Sequence, residues 1–139
     1  MARFPKAATL LPAGLRTGAA SNVAGTAVTN LANLTRAALL LDVTATAGAA
    51  GDVLNVYVDV LGPDGTTWLN AVHFTQVAGD SAPIQHYATL DATATTFDVT
   101  TDCASGVTKP YLWGSAMRGR YSTTNAGASV TFSLSALLQ

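Results

Sequence analysis

The residues from Ser129 to Ala136 constrain the fold of this chain more than any others. Val130, Phe132, Leu134 and Ala136 alternate there with Ser129, Thr131, Ser133 and Ser135. A period of two puts the apolar set on one side of a pleated strand and the hydroxyls on the other, which describes a half-buried antiparallel strand and excludes a helix. The same alternation runs through Ala37, Leu39, Leu41, Val43 and Ala45 against Asp42, Thr44 and Thr46. It recurs in Leu54, Val56, Val58 and Val60 against Asn55, Tyr57, Asp59 and Leu61. Composition points the same way: the chain has 26 Ala and 20 Thr but no Glu. Helices place Glu and Lys beside their Ala, whereas Thr- and Val-rich segments without Glu suit a sheet.

Turn chemistry separates the alternating segments. Gly48 to Gly51 follows the first, and Gly62-Pro63-Asp64-Gly65 follows the second with the residues of a tight hairpin. Residues 67–77 read as the returning strand, with Trp68, Val72 and Phe74 on one face and Leu69, Ala71, His73 and Val77 on the other. Shorter strands are predicted at His86 to Leu90 and Thr95 to Val99. Another is predicted from Met117, where Arg118 and Arg120 share a face assigned to solvent, and Asn125 to Gly127 turns the chain into the last strand. About seven strands at such spacing give an all-β fold, a single antiparallel β-sandwich of the jelly-roll or immunoglobulin-like kind. With 139 residues the chain makes one domain.

Residues 1–33 read differently. Pro5, Pro12, Gly14, Gly18 and Gly25 are too closely spaced for a helix. The segment is therefore expected to be an extended N-terminal arm, leaving 34–139 as the sandwich. Its Leu10, Leu11, Leu15, Val28 and Leu31 are expected to dock, either on its own body or on a neighbour.

Charge is laid out in blocks. Residues 1–36 hold four basic residues, Arg3, Lys6, Arg16 and Arg36, and no acid; residues 37–108 hold all eight aspartates and no Lys or Arg. Lys109, Arg118 and Arg120 follow, for a net charge of −1. Two expectations arise: Arg pairs with Asp across strands of one domain, or the basic arm lies on the acidic body of another copy. A basic segment tied to so acidic a body is a weak footprint for nucleic acid, which is not an expected partner.

Candidates for chemistry are few. His73 and His86 are the only imidazoles and have no nearby Cys or Glu to complete a metal shell, so no metal or other cofactor is expected. Cys103 stands alone and reads as a small buried hydrophobe. Trp68 and Trp113, with the tyrosines, could form a platform for a sugar ring, although such residues more often fill a sandwich core. The longest apolar run, Ala37 to Leu41, falls far short of the ~20 residues of a membrane helix, and no membrane partner is expected. Thr9 and Pro12 interrupt the stretch after Arg3 and Lys6, so the chain is expected to remain in the compartment of its synthesis.

A Pro- and Gly-containing leading segment, a small Thr/Ala/Val-rich sandwich, Arg118-Gly119-Arg120-Tyr121 and then Ala128-Ser129-Val130-Thr131-Phe132-Ser133-Leu134 together resemble small β-sandwich virion proteins of tailed bacteriophages, in particular head decoration or cement proteins. The resemblance lies in organisation and composition. It implies a non-enzymatic protein of the virion, made in the host cytoplasm, that binds the capsid exterior, bridges major capsid subunits and associates with copies of itself, possibly as a trimer. The gripping residues it implies are Arg3, Lys6, Leu10, Leu11, Leu15, Arg16, Val28 and Leu31 in the arm, with Arg118 and Arg120 on the body. A neck or tail subunit is the other virion role it allows, and a carbohydrate-binding module is the reading outside that class.

Overall fold

The computed structural model describes residues 5–31, 33–91, 102–109, 112–124 and 128–139. The strand expected at Thr95 to Val99, the turn at Asn125 to Gly127 and the candidate Arg3 lie outside the described residues. The chain is all-β, a sandwich of two antiparallel sheets. The first sheet contains β1 (Lys6–Thr17), β3 (Arg36–Ala47), β7 (Ile84–Asp91) and β10 (Ser129–Leu138), in the order β1-β10-β3-β7. The second has β2 (Ala20–Ala24), β4 (Val53–Leu61), β5 (Trp68–His73), β8 (Val107–Thr108) and β9 (Met117–Thr123) in the order β2-β9-β4-β5-β8. The short β6 (Val77–Ala78) pairs with β4.

The alternation seen in the sequence becomes the core. Leu39, Leu41 and Val43 of β3 and Phe132 and Leu134 of β10 face Val56, Val58 and Val60 of β4, all at 1% exposure or less. Each fully buried side chain of this size contributes about 1.5–3 kcal/mol. The hairpin between β4 and β5 is built as the sequence predicts. Asp64 accepts hydrogen bonds from the amides of Thr66 and Thr67, Gly65 takes φ +73°, and the Gly62 amide donates to the Thr67 carbonyl.

The segment from Lys6 to Leu31 is not an arm: it folds onto its own body and belongs to both sheets. β1 pairs with β10 over its length, from Lys6 opposite Leu138 to Thr17 opposite Ser129. Gly18, at φ +83°, then carries the chain to the second sheet, where β2 pairs with β9. Beyond β2 the backbone keeps pace with β9 as Gly25 donates to Gly119, Val28 exchanges bonds with Met117, and Leu31 donates to Ser115. Leu10 and Leu11 both point inward, because register shifts on either side of Leu11 interrupt the pleat, and Leu31 is fully enclosed. The boundary at residue 33 therefore has no counterpart in the described fold.

A second irregularity changes the predicted faces of β5. Val72 pairs with Val58 but Asn70 pairs with Asp59, leaving Ala71 as an extra residue. This bulge reverses the alternation, so Trp68 and Asn70 share the outer face with His73, while Ala71 and Val72 are both buried.

Candidate functional site

The outer face of the second sheet carries a buried polar network. β4 presents Asn55, Tyr57 and Asp59 outward, opposite the Val56, Val58 and Val60 row. Register sets Arg118 of β9 opposite Asp59 and Arg120 opposite Tyr57. The Asp59 carboxylate, 2% exposed, accepts from Arg120 Nε at 2.8 Å, Arg118 Nε at 3.3 Å and Asn70 Nδ2 at 3.1 Å. Arg120 also donates to Asn22 Oδ1 at 2.9 Å and Asp102 Oδ1 at 2.5 Å, and its guanidinium lies 4.0 Å from the Tyr57 ring centre. Arg118 sits 4.4 Å over Trp68.

A loop closes over this face. His73 stacks on Tyr57 at 4.2 Å, and its ring nitrogens lie 2.9 Å from the Cys103 carbonyl and 2.9 Å from Asn55 Oδ1. The Cys103 amide donates to Asn70 Oδ1. Burial works against a charged Arg120, but its hydrogen bonds to Asp59 and Asp102 outweigh burial and hold its pKa above the ordinary guanidinium value. Burial raises Tyr57, reinforced by the Asp102 charge, and burial pushes the Cys103 thiol up. A thiol so shifted is a poor nucleophile, and the Asp59 carboxylate is enclosed by its hydrogen bonds to Arg118, Arg120 and Asn70. The arrangement staples β4, β5, β9 and the 102–109 loop together. Among the described residues no group of three or more His, Cys, Asp or Glu is placed to hold a metal ion, and no helix is long and apolar enough to cross a membrane.

The predicted site residues are dispersed by the fold. Leu10, Leu11 and Leu31, at 2% exposure or less, are core residues and are not available to a partner. Arg16 turns to the mouth of the sandwich, donating to the carbonyls of Pro12, Gly14 and Phe132 and lying 4.1 Å over the Phe132 ring. Val28 is half-buried against the core. Lys6 is exposed at the start of β1, and Leu15 is exposed on its outer face. The assignment of Arg118 and Arg120 to solvent is corrected for Arg120, which is enclosed among Asp59, Asp102, Asn22 and Tyr57. Pairing of Arg with Asp across strands accounts for both arginines. Neither tryptophan offers a bare platform: Trp68 carries Arg118, and Trp113 donates its indole N–H to the Leu31 carbonyl while packing on the core.

The outer face of the first sheet has the opposite character. Register aligns Ala7, Leu137, Ala38 and Thr89 in one row across the four strands, and Thr9, Ser135, Leu40 and Tyr87 in the next. Neither row contains a formal charge. The β3 neighbours along the strand do: Arg36 flanks Ala38 at one end, and Asp42 flanks Leu40 at the other. Tyr87 and Leu137 are among the most exposed large apolar side chains, and a shallow depression lies between them over Ala7, Ala38 and Ser135. The alternation in the sequence gives these residues no face. The available signal was the run Leu39-Leu40-Leu41, which must place one leucine outward, and Leu137-Leu138, which does the same.

Comparison with protein-family models, curated proteins and solved structures finds no match to this chain.

Proposed function

We propose that this chain is a non-enzymatic structural protein that works by binding other polypeptides. On the resemblance of its organisation to phage head decoration proteins, we further propose that it lies on the exterior of a capsid and bridges major capsid subunits. The observation that carries the binding reading is the uncharged outer face of the first sheet, with Leu40, Tyr87 and Leu137 turned outward. Depletion of charge with retained aromatic and aliphatic side chains is the composition of an interface core. The resemblance implies a grip by residues 1–33, with Arg118 and Arg120 on the body. With Leu10, Leu11 and Leu31 interior, the gripping surface moves to the first sheet, and of the described candidates in that segment Lys6 and Leu15 remain exposed.

The test is compositional. Particles purified from the producing host should contain the chain in a fixed and high ratio to the shell protein by quantitative mass spectrometry. A neck or tail subunit would be present at only a few copies. Complete, stable particles with the chain left entirely in the supernatant would refute a role in the virion.

A further inference from the structure

The uncharged face is self-complementary. Along β3 its outward residues read Arg36, Ala38, Leu40, Asp42, which is cation, small, large, anion. When two copies stack face to face about a twofold axis crossing β3 between Ala38 and Leu40, positions along each strand are inverted. Arg36 of one copy then lies over Asp42 of the other, twice. The same operation sets Leu40 over Ala38, Tyr87 over Thr89, Leu137 over Ser135 and Thr9 over Ala7, so in each of the four columns a larger side chain meets a smaller one. An isologous contact needs this property, and a surface shaped for an unrelated partner does not.

The size is sufficient for a weak assembly. Four strands about 4.8 Å apart, covered for about eight residues at about 3.4 Å rise, make a face of roughly 400–500 Å² per copy. Two copies bury roughly 800–1,000 Å², below the ~1,200 Å² of stable specific interfaces and within the range of weak, transient ones. A net charge of −1 does little to hold copies apart.

We propose that the occupant of this face is a second copy of the chain, packed as an isologous dimer with Arg36 and Asp42 paired across the axis. This inference rests on the reading that the face binds polypeptide. It is tested on the full chain by sedimentation velocity across a concentration series. The wild type should show a concentration-dependent dimer. Leu137→Arg, which adds a charge at an already exposed position, should weaken dimerisation about 100-fold. Arg36→Asp and Asp42→Arg should each weaken it about tenfold, and the double variant Arg36→Asp/Asp42→Arg should restore it. Val107→Lys, on the other sheet, should leave it unchanged.

A wild-type chain that stays monomeric at high concentration, or a charge swap that restores nothing, overturns the dimer. A monomer whose copy number in particles falls with Leu137→Arg assigns the face to the shell protein: that result overturns this inference and leaves the proposed function standing. A dimer with the predicted charge swap that is absent from particles does the reverse.

Discussion

Removing residues 1–31 should destroy the fold, because that segment supplies core and does not hang from it. Leu10, Leu11 and Leu31 are 1%, 2% and 0% exposed. At about 1.5–3 kcal/mol for each fully buried leucine, the three contribute roughly 5–9 kcal/mol. A domain of this size is stable by only about 5–15 kcal/mol. The deletion also bares one flank of β10 and one flank of β9, both of which donate and accept along β1 and β2. The truncated chain should therefore show no cooperative transition in a urea titration followed by circular dichroism. Because a deletion can fail for unrelated reasons, the point variant Leu31→Ala is the sharper measurement. It should remain folded but lose about 3–5 kcal/mol, the range for leucines whose cavity cannot collapse, which lowers Tm by roughly 10–15 °C. A truncated chain with the urea midpoint of the full one, or a Leu31→Ala cost below about 1 kcal/mol, would refute the placement of this segment.

Three further outcomes follow from the polar face and its neighbours. Arg120→Met should cost about 3 kcal/mol, because it strands the buried Asp59 carboxylate with only Arg118 and Asn70, whereas Asp59→Leu combined with Arg120→Met should recover much of that loss; chemical denaturation of the two variants decides it. Cys103, buried and with its thiol pKa raised by that burial, should react with a disulfide reagent much more slowly in the native chain than in urea, and equal rates would place it at the surface. Gly119→Val should destabilise by about 1–3 kcal/mol, since a Cβ there already meets Leu11 and Leu134 at 2.9 Å, and a variant of unchanged Tm would show that this wall can yield.

The sandwich and its central strands were legible because period two survives in single sequences wherever one face is dry and the other wet. Leu39, Leu41 and Val43, and Phe132 and Leu134, are where the pattern puts them. β1 is hidden in the sequence for two physical reasons. Its bulge turns adjacent Leu10 and Leu11 to the same side, erasing the alternation, and an edge strand tolerates the Pro12 and Gly14 that would disqualify a central one. Its partner, β10, lies at the far end of the sequence, so nothing local announces the pairing. The faces of β5 depart from simple alternation because one extra residue, Ala71, reverses every side chain after it. Period two sets the arginines of β9 on one face, but their burial depends on residues 102–109, whose position over the sheet no periodicity encodes.

The order of the first sheet also sets a schedule. β10, which follows β1, β3 and β7 in the sequence, is the interior strand against which both β1 and β3 must align. Until it emerges from the ribosome, β1 has no neighbour in its own sheet, and Leu10 and Leu11 wait without cover. The first sheet therefore cannot be completed before the ten residues of β10 are in place, and its closure joins segments far apart in the sequence, which is the slow kind of contact to form.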